Sequence, residues 1–291
     1  MKKYTVYVLL AGTLWGFMGF FVKNLAEIGI DSTGAVMLRC SVAALCFGIT
    51  IAMKDRRLFR VRLRDAWCFL GSGVLALLFF TYCYFTSMNY IDLSTAAILL
   101  YTAPILVMLM SFFLFGEKFS RVKVLALIMA FAGCCLVSGM GQGSVPLKGL
   151  LLGLGSGLGY ALFSIFARFA LNRGYDSLTI NFWSCLIAGA GAMLIWGPAE
   201  TFGIAFASPA NAAWALATGF ISCYLPYLFY TIGLSGMETG RASIMASLEP
   251  VVATLVGVFI FAQSLSLMSA AGVALVLGAI AVLNLKTPVK D

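Results

Sequence analysis

The sequence predicts an all-α membrane protein of ten transmembrane helices in two inverted five-helix repeats. Three observations carry this reading: an apolar composition, ten apolar runs of spanning length, and a self-similarity at a fixed offset. Of the 291 residues, 62% are hydrophobic and only 10% are charged. A soluble domain is typically about 45–50% apolar and about 25% charged. A chain this apolar cannot cover itself with polar surface in water, so its solvent is lipid.

A helix needs roughly 20 apolar residues to cross the hydrocarbon. Runs of that length fall at about 4–22, 34–53, 66–87, 93–115 and 121–139, then at about 148–171, 177–196, 212–234, 241–262 and 266–285. The clearest separators are Lys54 to Asp65, Gly139 to Pro146 and Gly197 to Asn211. Backbone groups in lipid must be satisfied internally, which makes these runs helices. A membrane barrel would alternate residue by residue, and these runs do not. The first run follows Lys2 and Lys3 like a signal peptide, but Phe20, Phe21, Val22, Lys23 and Asn24 offer no small-residue cleavage site, so it reads as a retained helix.

The net charge of +8 could point to nucleic acid, but its distribution does not. Counted by loop, one side carries sixteen lysines and arginines: Lys2, Lys3, Lys54, Arg56, Arg57, Arg60, Arg62, Arg64, Lys118, Arg121, Lys123, Arg168, Arg173, Arg241, Lys286 and Lys290. The other side carries Lys23 and Lys148, with Arg39 inside a run. This is the positive-inside pattern. It predicts a multi-pass protein of the cytoplasmic (inner) membrane with both termini in the cytoplasm. Lipid headgroups, and no nucleic acid, are the partners this surface implies.

The eight cysteines lie in or at the ends of the runs, form no C-x-x-C pair, and read as small apolar fillers. With no histidine, zinc-type ligand sets and Ser-His catalysis are excluded. No G-x-x-x-x-G-K-[ST] loop is present, so ATP does not drive the protein directly. No metal and no cofactor is implied, and the chain does not read as an enzyme. Repeated filter motifs or polar rings of a channel are absent.

Shifting Tyr84–Val137 by 146 positions lays it on Tyr230–Leu283 without a gap. Tyr84/Tyr230, Ala96/Ala242, Ile98/Ile244, Pro104/Pro250, Phe113/Phe259 and Ser120/Ser266 then coincide. The chain divides into a first repeat over 1–140, a linker over 141–147 and a second repeat over 148–291. Five crossings reverse the side on which the second unit starts, so the units must be upside down relative to each other. That plan recurs in secondary transporters, whose substrate sits near the midplane between the repeats.

Several motifs resemble the EamA-type drug/metabolite transporters. They are Trp15-Gly16, Arg39 followed by Ala43 and Ala44, Ala96-Ala97, Pro104 and Phe115-Gly116-Glu117. Leu225-Pro226-Tyr227 and Met245-Ala246-Ser247-Leu248-Glu249-Pro250 are similar to the threonine/homoserine exporter branch. Two positions depart: Tyr160-Ala161 stands where many relatives place Trp-Ala, and Gln263 stands where a second Gly-Glu acid would fall. The resemblance implies helices 1–4 and 6–9 around a central cavity with 5 and 10 outside. It also implies secondary transport of a small molecule, an amino acid or amino-acid-like metabolite, with export by alternating access. An organic cation such as a quaternary amine is the alternative.

Glu249 is the sharpest site candidate, because a carboxylate well inside a span is costly and marks function by default. It could bind a substrate ammonium or a coupling proton, or bond a neighbouring helix and fix packing. Pro250 follows it and frees a carbonyl one turn earlier. Arg39 could attract a substrate carboxylate, pair with a backbone carbonyl or Glu249, or snorkel to the interface. Pro104 and Pro250 are paired interruptions, the best sequence pointer to a central site. Pro226 has Phe80 as its counterpart, an asymmetry that could distinguish two gates. Trp15, Tyr82, Tyr101 and Tyr227 are the aromatics expected to wall a cavity, by stacking or cation–π contact. Gly153, Gly155, Gly157 and Gly159, with Gly12 and Gly16, predict close helix packing.

Overall fold

The computed structural model describes residues 2–139 and 146–285. Most of the expected linker, and Lys286 and Lys290, lie outside the described residues. Ten helices have the length and composition to span a membrane. They are α1 (Lys2–Glu27), α2 (Ser32–Lys54), α3 (Leu63–Ser87), α4 (Leu93–Phe115), α5 (Arg121–Ser138), α6 (Leu147–Asn172), α7 (Ser177–Trp196), α8 (Pro209–Ser235), α9 (Thr239–Phe259) and α10 (Leu267–Asn284). No strand occurs among the described residues. The expected spans match in number and order, with shifted ends. α1 runs to Glu27 instead of 22, α9 stops at Phe259 instead of 262, and a short helix, Ala199–Ala205, occupies the separator before α8.

Polar caps set several helix starts. Asp31, Asp92 and Asp176 each accept a backbone N–H of the following turn. Asp92 takes both the amide (2.9 Å) and the hydroxyl (2.8 Å) of Thr95, and these bonds hold its carboxyl below the usual range.

Five of the ten helices are interrupted. α1 turns at Phe17 between Lys2–Gly16 and Met18–Glu27. α4 breaks at Tyr101-Thr102 and α9 at Ser247-Leu248, two pairs that coincide under the 146-residue offset. Pro104 and Pro250 cause these breaks, since neither has an N–H for the carbonyl one turn earlier. α3 and α8 widen into π turns over Gly71–Leu78 and Phe220–Tyr224, which end at equivalent positions. The widening thus precedes Phe80 in α3 as it precedes Pro226 in α8. The expected asymmetry at Pro226 is absent from the helix path and lies in who satisfies the freed carbonyl.

Packing pairs helices of each half with helices of the other half, and the pairings match when the halves are exchanged. α5 lies along α10, and α2 along α7; α1 packs on α8 as α6 packs on α3. α1 also crosses α9, and α6 crosses α4. Each crossing is closed by a glycine over a proline-freed carbonyl. A methyl on Gly12 would lie 3.1 Å from the Ala246 oxygen, and one on Gly157 would lie 2.8 and 3.4 Å from the Leu99 and Leu100 oxygens. The broken segments of α4 and α9 are thereby held deep in the bundle. The large buried cluster around Trp15, Phe47, Phe163, Tyr227 and Met245 surrounds them.

Candidate functional site

Glu249 starts the second half of α9, directly after the break at Ser247-Leu248. It is buried, with 9% exposure, and its Oε2 accepts a 3.0 Å hydrogen bond from the hydroxyl of Tyr160 in α6. Two small adjoining chambers meet at this pair, sharing Tyr160, Ser243 and Ala246. One adds Trp15, Ala76, Leu77, Phe80, Phe163, Ser164, Tyr227 and Tyr230; the other adds Tyr101, Pro104, Ser247 and Glu249. Each leaves about 10 Å³, room for one water molecule at most. The site is therefore closed around itself and must widen to admit a metabolite.

The walls are aromatic. Trp15 meets Tyr227 and Tyr230 at ring-centroid distances of 5.3 Å each, and Tyr160 at 6.2 Å. Phe163 lies 4.7 Å from Tyr227. The Tyr230 and Ser164 hydroxyls are 2.6 Å apart. Asn181 of α7 bonds the Tyr227 carbonyl (3.1 Å) and the Thr231 hydroxyl (2.7 Å), fixing α8 against α7 from behind. One carboxylate among aromatic faces is an arrangement that favours a cationic nitrogen.

Of the sequence candidates, Glu249, Trp15, Tyr101, Tyr227 and Pro104 converge here. Pro250 and Pro226 are buried next to lining residues. Tyr82 does not join them. It is 55% exposed, because it stands two residues past Phe80 and so on the opposite side of α3. Arg39 is half-buried beside the site and not in it. Its Nη2 donates to the Ser222 carbonyl (2.9 Å) in the widened part of α8, and its Nε is buried without a partner. The lining comes from α1, α3, α4, α6, α8 and α9. α5 and α10 contribute nothing to it, and α2 and α7, expected to surround the cavity, only buttress it.

Phe163, Ser164 and Ser243 carry no sequence signal for the site; Tyr160 and Tyr230 belong to the dense aromatics of which some could wall a cavity, and Tyr160 also stands where relatives have a tryptophan.

At the end that holds most of the basic residues, a polar latch closes the bundle. Glu117 accepts the Thr239 amide at 2.5 Å and the Gly240 amide at 3.1 Å, capping α9. Arg168 donates to the Thr239 hydroxyl (2.9 Å) and to the carbonyls of Leu234 (2.6 Å) and Met237. Lys123 pairs with Glu238 at 2.7 Å. The turn at the opposite end is rebuilt at Ala262, whose φ of 51° matches the 67° of Gly116; the Gln263 amide there closes the last turn of α9 on the Gly257 carbonyl (3.0 Å), but its exposed side chain caps no helix start among the described residues.

The sequence model described as the EamA-like transporter family matches this chain twice, over residues 2–139 and 147–285. An uncharacterized transporter of Archaeoglobus fulgidus is 27% identical over 277 residues, covering 94% of this chain and 93% of that protein. The uncharacterized transporter YxxF of Bacillus subtilis is 29% identical over 254 residues, covering 85% of this chain and 78% of its own. A crystal structure superposes with a TM-score of 0.83 at 18% identity, over 98% of this chain and 97% of the other, a likeness of fold.

Proposed function

This chain belongs to the EamA-like transporter family, and from that premise we propose that it exports an amino acid or amino-acid-like metabolite by alternating access. It is a multi-pass membrane transporter and not an enzyme, as its family and relatives are. The observation that carries the finer reading is Glu249, a buried carboxylate at a helix break inside an aromatic chamber. Its carboxylate would receive the substrate ammonium once the chamber opens, in exchange for the Tyr160 hydroxyl. The unpartnered Nε of Arg39 is the nearest candidate for the substrate carboxylate.

The inverted arrangement of the halves is supported by the coincident breaks and by the exchange of helix pairings under one offset. Alternating access then means rocking the units about the chamber. The excess of Lys and Arg at the latch end supports a cytoplasmic location for that end and for both termini. On that orientation the closed latch would correspond to a protein shut towards the cytoplasm.

A second reading, transport of an organic cation such as a quaternary amine, is favoured by the number of aromatic faces around a single acid.

The test is release from proteoliposomes loaded with a mixed pool of amino acids and quaternary amines, beside Glu249→Gln liposomes. Saturable release of an amino-acid class, reduced in the variant, supports the first reading, and release of the amines selects the second. Dependence on an imposed pH gradient would identify protons as the coupling ion. If nothing leaves above empty liposomes with folded protein and a gradient, the export reading fails.

A further inference from the structure

Loop 55–62 and the start of α3 meet the loop between α6 and α7 at the basic end. Between them lies an open depression of about 410 Å³ lined by Arg62, Arg64, Asp65, Trp67 and Arg173. Asp65 is the only acid lining it among the described residues and is already engaged. Its Oδ1 takes Arg173 Nε at 3.1 Å, and its Oδ2 takes the Tyr175 hydroxyl at 2.8 Å. Arg173 is further held by the Phe169 carbonyl (3.1 Å) and by the Trp67 ring, 4.9 Å from its guanidinium carbon. The Arg62 amide donates to the Tyr175 hydroxyl (3.1 Å), which fixes the chain at that arginine. Arg64 is only 4.0 Å from Asp65 and 76% exposed. Three guanidiniums therefore line a hollow with one carboxylate that already holds two partners, a surplus of two positive charges among the lining residues.

Topology alone requires basic residues on this side of the membrane. It does not require arginines from two distant loops to converge on a common hollow, with one of them stacked and bonded in place. Guanidinium groups match the oxygens of phosphate in paired hydrogen bonds. We propose that Arg62, Arg64 and Arg173 form a binding site for a phosphate group, carried by an anionic phospholipid of the adjoining leaflet.

The lipid source follows from the neighbouring face. Leu63, Trp67 and Leu70 are 92%, 40% and 52% exposed, and their spacing puts them on one side of the start of α3. Apolar side chains that exposed belong against acyl chains, with a tryptophan at headgroup level. The hollow opens beside that tryptophan.

The experiment is native mass spectrometry of the detergent-purified full chain with equal phosphatidylglycerol and phosphatidylcholine, with thermal melts in either lipid or in inorganic phosphate. Wild type should retain phosphatidylglycerol at least tenfold over phosphatidylcholine. Arg62→Gln/Arg64→Gln should lose most of that preference, and Arg64→Lys should lose part of it. Arg56→Gln/Arg57→Gln, which removes as much charge from the same loop outside the hollow, should keep it. A melting shift with phosphatidylglycerol and none with inorganic phosphate supports the lipid. A shift with phosphate alone, absent in Arg62→Gln/Arg64→Gln, keeps the anion site but overturns the lipid as its source. Equal loss in both double variants, or no preference in wild type, overturns the site. Since the readout is binding, the outcome is independent of which metabolite is transported.

Discussion

Arg39 supplies the hydrogen bond that Pro226 cannot. The Ser222 carbonyl lies four residues before Pro226, which has no N–H to return to it, and Arg39 Nη2 reaches across from α2 to donate at 2.9 Å. An arginine inside a span is thereby a strut of the widened segment of α8, directly before Tyr227 of the chamber. Removing it leaves a buried carbonyl unpaired, at a cost of about 1–3 kcal/mol. Arg39→Met should lower the melting temperature accordingly. In a Pro226→Ala background a backbone N–H becomes available, and the cost of Arg39→Met should shrink. A double-mutant cycle of thermal or denaturant stability measures this coupling, and strict additivity would reject the strut.

The bond between Tyr160 and Glu249 makes a different demand, on transport. Glu249→Gln keeps the shape but removes the charge, so flux of a cationic substrate should fall at least tenfold with little change in melting temperature. Tyr160→Phe removes one buried hydrogen bond, worth about 0.5–1.5 kcal/mol. If the hydroxyl only holds the acid in the empty protein, its loss should leave KM unchanged or lower it. If the hydroxyl also touches the substrate, KM should rise. Initial-rate kinetics in proteoliposomes separates the two.

The ten spans were legible because lipid imposes a length on every helix, and the breaks at Tyr101-Thr102 and Ser247-Leu248 because proline removes a donor wherever it stands. The rotational setting of each helix was not legible. Helices that are apolar all round carry no polar face to separate inside from outside. That is why Tyr82 and Phe80 were indistinguishable, although only Phe80 lines the chamber. The π turn of α3 contains no proline, and its sequence sign is only the pair Gly71 and Gly73, which loosen the start of that helix without specifying a π turn. In the sequence Glu117 is part of a motif and Arg168 a topological charge, but their meeting at Thr239 joins three separate helix ends and depends on the assembled bundle.

Close approach at Gly16 is testable against a neighbour on the same helix. A methyl there would lie 2.5 Å from Val252 Cβ and 2.8 Å from the Glu249 carbonyl, whereas one on Gly19 meets nothing within 4 Å. Gly16→Ala must push α1 away from the second half of α9, and such overpacking costs typically about 1–3 kcal/mol. Gly19→Ala should be neutral, or stabilising by up to about 1 kcal/mol through helix propensity. Melting temperatures of the two variants should therefore differ in sign or clearly in size. The Gly16 variant should also lose flux, since the displaced carbonyl belongs to Glu249.

The latch at the basic end carries the last prediction. Glu117 holds the first amides of α9, and Arg168 holds the α8–α9 turn, so both must release if α9 is to tilt away from α4. The opposite end has the matching left-handed turn at Ala262 but Gln263 in place of the acid, so among the described residues no equivalent charged clasp resists opening there. Closure at the two ends is thus unequal in strength, and weakening the stronger one should shift the population towards a state open at the basic end. In Glu117→Ala the amides of Thr239 and Gly240 lose their acceptor and should exchange with deuterium at least tenfold faster than in wild type. Exchange of the outer turn around residues 260–266 should stay as it is. Lys123→Gln, which removes the pair with Glu238 and the 3.0 Å bond to the Lys118 carbonyl, leaves both Glu117 acceptors in place and should speed exchange at Thr239 and Gly240 less than Glu117→Ala does. Hydrogen exchange resolved to single peptides reads all three. Unchanged protection at Thr239 and Gly240 in Glu117→Ala would remove the latch from the mechanism.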